Sequence, residues 1–218
     1  MRAVIFANGT LPYPAIAQAA LQPGDLLIAA DGGFYHCREL GLAPTVVIGD
    51  FDSLADADVV EAQAAGAEIV RHPAHKDFTD LELALRYALE KGVDEILVLA
   101  ALGGRWDQSL ANLLLPAAAD LASIRISLID GPQEILLLRS GGRLEVRGRP
   151  GDTVSLIPLG GDARGITTLR LEYPLQKDTL YFGSTRGISN VLLANTASIA
   201  LDEGLLLCVV VHKEGTRE

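Results

Sequence analysis

Two aspartates separated by one phenylalanine follow a short apolar run, in the segment Gly49-Asp50-Phe51-Asp52-Ser53. The apolar residues Val46 to Ile48 indicate a buried strand that ends where the aspartates begin. If the chain stays extended beyond this strand, both carboxylates project to one side, where they can share a metal ion. Because Asp and Ser also favour turns, a solvated loop is the alternative interpretation.

A second acidic segment, Lys76-Asp77-Phe78-Thr79-Asp80, precedes the clearest helical pattern. Thr79 with Glu82 fits a capping box, and acidic residues favour a first helical turn, so capping alone explains part of the segment. Capping does not require a lysine. Lys76 beside Asp77 and Asp80, which are spaced to meet on one face of a first turn, predicts a platform for phosphate and metal.

A glycine pair followed by arginine forms a third candidate, Gly103-Gly104-Arg105-Trp106-Asp107. A guanidinium suits bidentate contacts to phosphate, so a tight turn carrying Arg105 predicts a phosphate contact. The alternative is an ordinary connection with Arg105 on the surface and Asp107 as the helix N-cap. Trp106 is the only tryptophan and receives no role.

Polar and glycine residues also follow the first two predicted strands, as Asn8-Gly9 and as Asp31-Gly32-Gly33. In an open parallel sheet, ligands bind beyond the carboxyl ends of the strands. Glycine allows backbone amides to approach phosphate oxygens, whereas carboxylates at the same place repel phosphate unless a cation lies between them. The combination predicts a polyphosphate bound through a hard cation, most simply Mg²⁺.

The first part of the chain alternates apolar runs with helical patterns, which predicts an α/β domain with a mostly parallel, Rossmann-like sheet. The clearest helix is Asp80 to Lys91, with Gly92 as its C-terminal stop. The predicted strands are Val4 to Ala7, Leu26 to Ala30, Val46 to Ile48, Ile69 to Val70, Ile96 to Ala100 and Ile124 to Ile129.

After Gly131-Pro132 the pattern changes to short strands separated by glycine-rich turns, with no convincing long helix. This pattern indicates a smaller all-β C-terminal domain, a sandwich or a barrel. We therefore predict an α/β domain over residues 1–132 and a β domain over residues 133–218.

Composition excludes several other classes of protein. A net charge of −10 and a pI near 4.8 argue against a nucleic-acid binder, which needs surplus lysine and arginine. No apolar run approaches the ~20 residues of a membrane helix, and the N-terminus lacks a signal-peptide pattern. The distant cysteines, Cys37 and Cys208, suit reduced thiols in a cytoplasmic protein. The histidines show no zinc-ligand spacing.

The order of these motifs resembles the thiamine pyrophosphokinase family. The second half of the chain continues the resemblance with Val154 to Leu159, Leu171 to Leu175 and Gly187-Ile188-Ser189-Asn190. It implies a homodimer with active sites near the subunit interface, and transfer of the terminal diphosphoryl group of ATP to the thiamine hydroxyl, leaving AMP. The resemblance also implies that the α/β domain is the catalytic, ATP-binding domain and that the β domain is the thiamine-binding domain.

Carried over position by position, the resemblance assigns site residues. Metal binding falls to Asp50, Asp52, Asp77 and Asp80, and catalysis to these four with Arg105 and Asp107. Ser189 and Asn190 match an element linked to thiamine recognition. Gln108 stands where the family often has histidine, so histidine is not strictly required there. The ATP site is predicted at Asn8, Gly9, Asp31, Gly32, Gly33, Lys76 and Arg105.

Other functions remain open at this point. Asp50-Phe51-Asp52 superficially fits a haloacid-dehalogenase-like phosphatase, but there the pair follows the first strand and here it follows the third. An aspartyl-phosphate intermediate would favour that alternative. A dinucleotide-dependent dehydrogenase is disfavoured because no Gly-x-Gly-x-x-Gly opens the first helix. A non-catalytic binder of thiamine or nucleotide is the alternative from a different class.

Overall fold

The computed structural model describes residues 1–75 and 77–213. The chain divides into two compact units, Met1–Gly131 and Pro132–Glu218. No helix in the described part of the chain combines the length and the apolar character that crossing a membrane requires.

The first unit is built on six parallel strands. They are β1 (Arg2–Phe6), β2 (Leu26–Ala30), β3 (Val46–Gly49), β4 (Glu68–Arg71), β5 (Glu95–Leu99) and β6 (Arg125–Asp130). The strands lie in the order β6-β5-β1-β2-β3-β4. Because the order reverses between β1 and β5, the carboxyl edge beside β1 is the position where open α/β sheets bind ligands.

Among the described residues, five α-helices connect these strands: α1 (Pro14–Ala19), α2 (Gly33–Glu39), α3 (Asp56–Ala64), α4 (Asp80–Glu90) and α5 (Trp106–Leu114), the last followed by a 3-10 turn, Leu115–Ala117. The predicted helix at α4 is confirmed. Its N-cap is Thr79, whose hydroxyl accepts a hydrogen bond from the Glu82 amide at 3.2 Å. Gly92, at φ 71°, ends it.

Both faces of the parallel sheet are covered, which explains why its strands are continuously apolar. Val4, Val47 and Leu97 belong to one core cluster with Ala17 of α1 and Phe34 of α2. Successive residues of a strand point to opposite faces, so the equally buried neighbours in each strand face away from that cluster. Helix α4 contacts β1, β2 and β3 and is not part of the cluster, which places it on the other face.

The second unit contains only strands within its described residues. They are β7 (Gln133–Arg139), β8 (Arg143–Arg147), β9 (Thr153–Pro158), β10 (Ala163–Leu169), β11 (Gln176–Leu180), β12 (Asn190–Val191), β13 (Thr196–Ala200) and β14 (Leu205–Val211). Antiparallel pairing gives the orders β12-β9-β14-β7 and β11-β10-β13-β8.

One hydrophobic core joins the two sheets of the second unit. Leu156 and Cys208 come from one sheet, Ile166 and Ile199 from the other, and all four are buried in the same cluster. Two sheets sharing one core form a sandwich, one of the two predicted architectures. The description as a mostly parallel sheet holds for the first unit alone, because every ladder within the second unit is antiparallel.

Candidate active site

Loops from neighbouring strands bring three carboxylates together at the carboxyl edge of the first unit. Asp31 follows β2, whereas Asp50 and Asp52 follow β3. One oxygen of each side chain lies within 4.8 Å of the others. Since hard divalent cations prefer oxygen ligands, this group is a candidate metal site.

The loop after β3 gathers its aspartates by turning rather than by staying extended. Phe51 has φ 64°, in the left-handed region, so the prediction of an extended chain from Asp50 to Asp52 is wrong. The Asp52 amide instead donates a hydrogen bond to Asp50 Oδ1 at 3.2 Å. The nearly buried Phe51 ring anchors the turn, with the Arg71 guanidinium 4.6 Å from its centroid.

Two other strand ends contain left-handed residues that are not glycine. Asp31, directly after β2, has φ 47°, and Ala100, directly after β5, has φ 54°. The conformation of Ala100 explains why β5 ends at Leu99 rather than at Ala100, as predicted from the sequence. Such conformations cost about 1–3 kcal/mol each and concentrate at functional sites.

Asp31 is the most constrained member of the carboxylate group. Its side chain is buried, with a relative exposure of 3%, and its Oδ1 has no hydrogen-bond partner among the described residues. Burial raises the pKa of the Asp31 carboxyl, and the charges of Asp80 and Asp52 raise it further, against hydrogen bonds from Ser53 and Gly32. A buried oxygen without a partner, in an all-oxygen donor set, fits a cation such as Mg²⁺.

Asp80 lies at the same edge, as the first residue of α4. Its Oδ1 is 3.1 Å from the position that a Cβ on Gly49 would occupy, so the glycine leaves room for this carboxylate. The charge of Asp80 also acts on the pKa of Asp31. These contacts place Asp80 beside the carboxylate group.

The remaining residues of that acidic segment are placed differently. Asp77 is exposed and precedes the N-cap of α4, so the prediction that Asp77 and Asp80 meet on a first helical turn is wrong. Among the described residues, Asp77 is not in the group that could share a cation. Lys76, predicted to bind ATP, lies outside the described residues.

Glycines at the strand ends are required by the protein's own atoms. A Cβ on Gly33 would lie 1.9 Å from the Phe6 carbonyl oxygen, and one on Gly32 would lie 2.2 Å from Asn8 Oδ1. A Cβ on Gly9 would meet two carbonyl oxygens at 2.4 Å, and the Gly9 amide already donates to Ala100 O at 2.8 Å. These glycines therefore permit close packing of the loops, and their ATP-binding role stays a prediction.

The loop after β5 holds an exposed ion pair between two predicted catalytic residues. Arg105 donates to Asp107 through Nη2 at 2.5 Å and Nε at 3.2 Å. This contact with Arg105 lowers the pKa of Asp107. Because α5 begins at Trp106 and Arg105 is its N-cap, the interpretation of Asp107 as the N-cap is wrong. The loop itself is fixed by Ser109, whose Oγ accepts from the Gly103 amide at 3.1 Å.

In the second unit, Asn190 holds a neighbouring segment rather than pointing free into solvent. Its Oδ1 accepts from the amides of Tyr173 at 3.0 Å and Val191 at 2.9 Å, and its Nδ2 donates to Tyr173 O at 2.7 Å. Ser189 is exposed, has φ 61°, and donates its amide to Ser155 Oγ at 3.0 Å. Asn190 therefore fixes the backbone at Tyr173, whose side chain is 63% exposed.

Sequence reasoning gave no role to three residues at these places: Ser53, Arg71 and Tyr173. Ser53 is the last residue of the Gly-Asp-Phe-Asp-Ser segment, and Tyr173 is the aromatic residue of the motif from Leu171 to Leu175. No signal pointed to Arg71. It pairs with Gly49 across strands β3 and β4, and its Nη1 donates to Asp50 O at 3.4 Å.

Comparisons with known proteins match the same protein family in both units. The family model described as "Thiamin pyrophosphokinase, catalytic domain" matches residues 17–128, and "Thiamin pyrophosphokinase, vitamin B1 binding domain" matches residues 143–206. A thiamine pyrophosphokinase of Bacillus subtilis is 32% identical over 184 residues, covering 84% of this chain and 86% of the relative. Thiamine pyrophosphokinase 1 of Oryza sativa is 31% identical over 172 residues, which cover 75% of this chain and 64% of that relative.

Solved structures give the same result. The crystal structure of thiamine pyrophosphokinase from Bacillus subtilis matches with a TM-score of 0.86 and 28% identity, over 98% of this chain and 100% of that chain. The crystal structure of thiamin pyrophosphokinase from Geobacillus thermodenitrificans matches with a TM-score of 0.84 and 27% identity, over 99% of both chains.

Proposed function

The chain belongs to the thiamin pyrophosphokinase family, and from that premise we propose how its residues bind the substrates and promote the reaction. The activity is that of a thiamine diphosphokinase, which transfers the terminal diphosphoryl group of ATP to the hydroxyl of thiamine and releases AMP. The metal, the site residues and the assembly are proposals. The proposals on the metal and its ligands rest on one observation above all, the meeting of three strand-end carboxylates, one of which has a buried oxygen without a hydrogen-bond partner among the described residues.

The metal of this reaction is proposed to be Mg²⁺, held by Asp50, Asp52 and Asp80 together with Asp31. The last of these is added to the predicted ligands on the basis of its position. A bound Mg²⁺ neutralises charge on the phosphoryl oxygens and on the departing group. Asp77, which is exposed and precedes α4, is proposed as a further ligand on sequence grounds.

The cations at the strand ends are proposed to bind the triphosphate. Arg105 offers a planar fork for phosphoryl oxygens, and its present partner, Asp107, keeps that fork at the carboxyl edge of the sheet. Lys76 is proposed for the same task on sequence grounds. The loops at Asn8-Gly9 and Asp31-Gly32-Gly33 are proposed to border the nucleotide.

In the proposed chemistry, the thiamine hydroxyl oxygen attacks the β-phosphorus in line. The bond from that phosphorus to the oxygen bridging the α-phosphorus breaks, and its electron pair leaves with AMP. The hydroxyl proton passes to a carboxylate at the edge of the sheet or to water. Since phosphoryl transfer proceeds through a loose transition state, positioning and charge stabilisation contribute more than proton abstraction.

The second unit is proposed to recognise thiamine through Ser189 and Asn190. Ser189 has an exposed side chain for a direct contact, whereas the polar atoms of Asn190 are engaged with Tyr173 and Val191. Asn190 is therefore proposed to act by fixing the segment around Tyr173. This arrangement lets the acceptor site depend on Asn190 without direct contact.

A homodimer with active sites near the subunit interface is proposed as the working assembly. Helix α5 supports it, because Trp106, Leu110 and Leu114 recur every four residues and are all exposed, Trp106 by 87%. Such an apolar stripe on one helical face is typical of a surface that a partner covers. It begins next to Arg105, so a partner covering it would come close to the predicted phosphate contact.

A cytoplasmic location is proposed as well. Cys37 and Cys208 are both free and buried, and burial raises the pKa of each thiol to about 12. Buried, protonated thiols without a disulfide suit a reducing compartment.

The decisive experiment combines purified protein with ATP, Mg²⁺ and thiamine, and separates the nucleotides and thiamine species. AMP with thiamine diphosphate supports the proposal, and chelation of the metal should stop the reaction. ADP with thiamine monophosphate would instead show transfer of a single phosphoryl group. Inorganic phosphate alone would favour the phosphatase alternative, and tight binding without turnover would favour the non-catalytic one.

A further inference from the structure

The hydroxyl of Ser53 hydrogen-bonds to side chains of two strand-end loops. It accepts a hydrogen bond from Asn8 Nδ2 at 3.3 Å and donates to Asp52 Oδ1 at 3.0 Å. A serine hydroxyl has one proton and two lone pairs, so Ser53 can donate to Asp52 while it accepts from Asn8.

Asn8 gives this hydroxyl a fixed direction. Its Nδ2 reaches Asp31 Oδ2 at 3.4 Å as well as Ser53, and its Oδ1 occupies the space that a side chain on Gly32 would need. Gly9, which follows Asn8, is held at both ends, because its amide donates to Ala100 O at 2.8 Å and His36 Nε2 lies 2.9 Å from its carbonyl oxygen. Because one lone pair of Ser53 faces Asn8 and its proton is donated to Asp52, Asn8 and Ser53 together connect the carboxylates of Asp31 and Asp52.

Asp31 and Asp52 need such a link. Their nearest ligand oxygens lie within 4.8 Å, and like charges at this distance repel one another. Asp31 is nine-tenths buried and keeps an Oδ1 without a partner among the described residues, which points to a ligand in the group. The hydrogen-bonded path from Asp31 through Asn8 and Ser53 to Asp52 keeps the carboxylate oxygens near enough to share one cation before the cation arrives.

We infer that Ser53 is a positioning residue that sets the separation of Asp31 and Asp52 and so determines the affinity of the site for a divalent cation. The inference rests on the proposed function, since it concerns the same metal site. Side chains that orient metal ligands typically contribute 10- to 100-fold to metal affinity. The effect of losing the hydroxyl is therefore expected in cation binding itself, before any chemistry.

The test is a titration of the protein with Mn²⁺ in the absence of nucleotide, with free Mn²⁺ followed by electron paramagnetic resonance. Ser53→Ala is expected to weaken binding by at least about 10-fold, while Ser53→Thr, which keeps the hydroxyl, stays within about 3-fold of the wild type. Ser123→Ala is the matched control, because Ser123 is an exposed serine of the same unit outside the site. Its affinity is expected to stay unchanged.

A second pair of variants keeps the test decisive if Ser53→Ala fails to fold. Ser53→Val and Ser53→Thr have nearly the same shape and differ in the hydroxyl, so weaker Mn²⁺ binding in the valine variant alone supports the inference. Equal binding by the two overturns it, as does a wild type that binds no Mn²⁺. A measurement of turnover distinguishes failure of the Ser53 role from failure of the proposed function. If the wild type forms AMP and both Ser53→Ala and Ser53→Val bind Mn²⁺ normally, only the role of Ser53 is refuted. If the wild type binds Mn²⁺ tightly and forms no AMP, the proposed function is refuted.

Discussion

Replacing Asp31 by asparagine should make the metal-free protein more stable and the enzyme nearly inactive. The substitution nearly keeps the shape of the side chain but removes a buried negative charge from the group formed with Asp50 and Asp52. Opposite effects on stability and turnover are expected because the charge is unfavourable until a cation binds.

The size of the stabilisation follows from the geometry. Two unit charges 4.8 Å apart repel by about 3.5 kcal/mol at an effective dielectric constant near 20. Exposure of Asp52 screens part of this repulsion, and the hydrogen bond that Asn8 donates to the charged Asp31 at 3.4 Å is weakened in the variant. The net gain is expected to be about 1–2 kcal/mol, or roughly 2–8 °C in Tm for a chain of this size.

Thermal unfolding in EDTA measures the stability, and formation of AMP measures turnover. Turnover of Asp31→Asn should fall by at least about 100-fold, as when an electrostatic group at a reacting centre is lost. Added Mg²⁺ should raise the Tm of the wild type more than that of the variant, because binding stabilises the folded state. A variant that is less stable than the wild type in EDTA, or that keeps its turnover, would refute the reasoning.

Asp56→Asn provides the control. Asp56 is exposed in the first turn of α3, where its charge favours the helix, so this variant should lose a little stability and no turnover.

The pH dependence of stability gives a further check. Burial raises the folded-state pKa of Asp31, so wild-type stability attributable to this group is present at low pH and is lost as pH rises through that pKa. The advantage of Asp31→Asn should therefore shrink as pH falls toward about 4.

Asp50→Asn and Asp52→Asn should each lower turnover by at least about 100-fold, measured as AMP formation beside the same helix control; full activity in both would show that the metal site is misplaced. Asn190→Ala should raise the thiamine requirement and leave ATP binding unchanged, whereas Arg105→Ala should weaken ATP binding or turnover more than thiamine binding. Calorimetric titration with each substrate separates the two effects, and loss of ATP binding in a folded Asn190→Ala protein would contradict the assignment. Sedimentation should give about twice the 23.1 kDa chain mass, and a fully active monomer would exclude an obligatory shared site. Both cysteines should resist a thiol reagent until the protein is unfolded; rapid labelling of the folded protein would contradict their burial.

The elements of the first unit were largely predictable because strand and helix patterns differ in period. Strand β2 has the predicted bounds, and α4 begins at the predicted Asp80 and stops one residue early. The apolar residues Leu81, Ala84 and Ala88, which recur at the helical spacings of three and four, are buried. These features depend on residues close in sequence, which is why the sequence alone sufficed.

Errors arose where a backbone angle or a neighbouring loop decides the outcome. The sequence does not show that Phe51 adopts a left-handed conformation, which non-glycine residues rarely do, and so the extended geometry was wrong. The partners of Asn190 are likewise hidden, because Tyr173 is 17 residues away and its segment meets Asn190 where Leu171 pairs with Leu192. Residue types identified the carboxylates of the candidate site, but their grouping required the strand order.

The unfavourable features of the first unit coincide at one edge of its sheet. Asp31 combines a left-handed backbone, burial and an oxygen without a partner among the described residues, while Phe51 and Ala100 add left-handed conformations at neighbouring strand ends. Each feature is costly alone, and the packed strands and glycines around them are what keep the loops in place. A cation bound by these carboxylates would offset the repulsion among them and satisfy the buried oxygen. If the unfavourable charge serves that purpose, stability and turnover must separate at Asp31, and a variant in which both fall together would indicate a purely structural carboxylate.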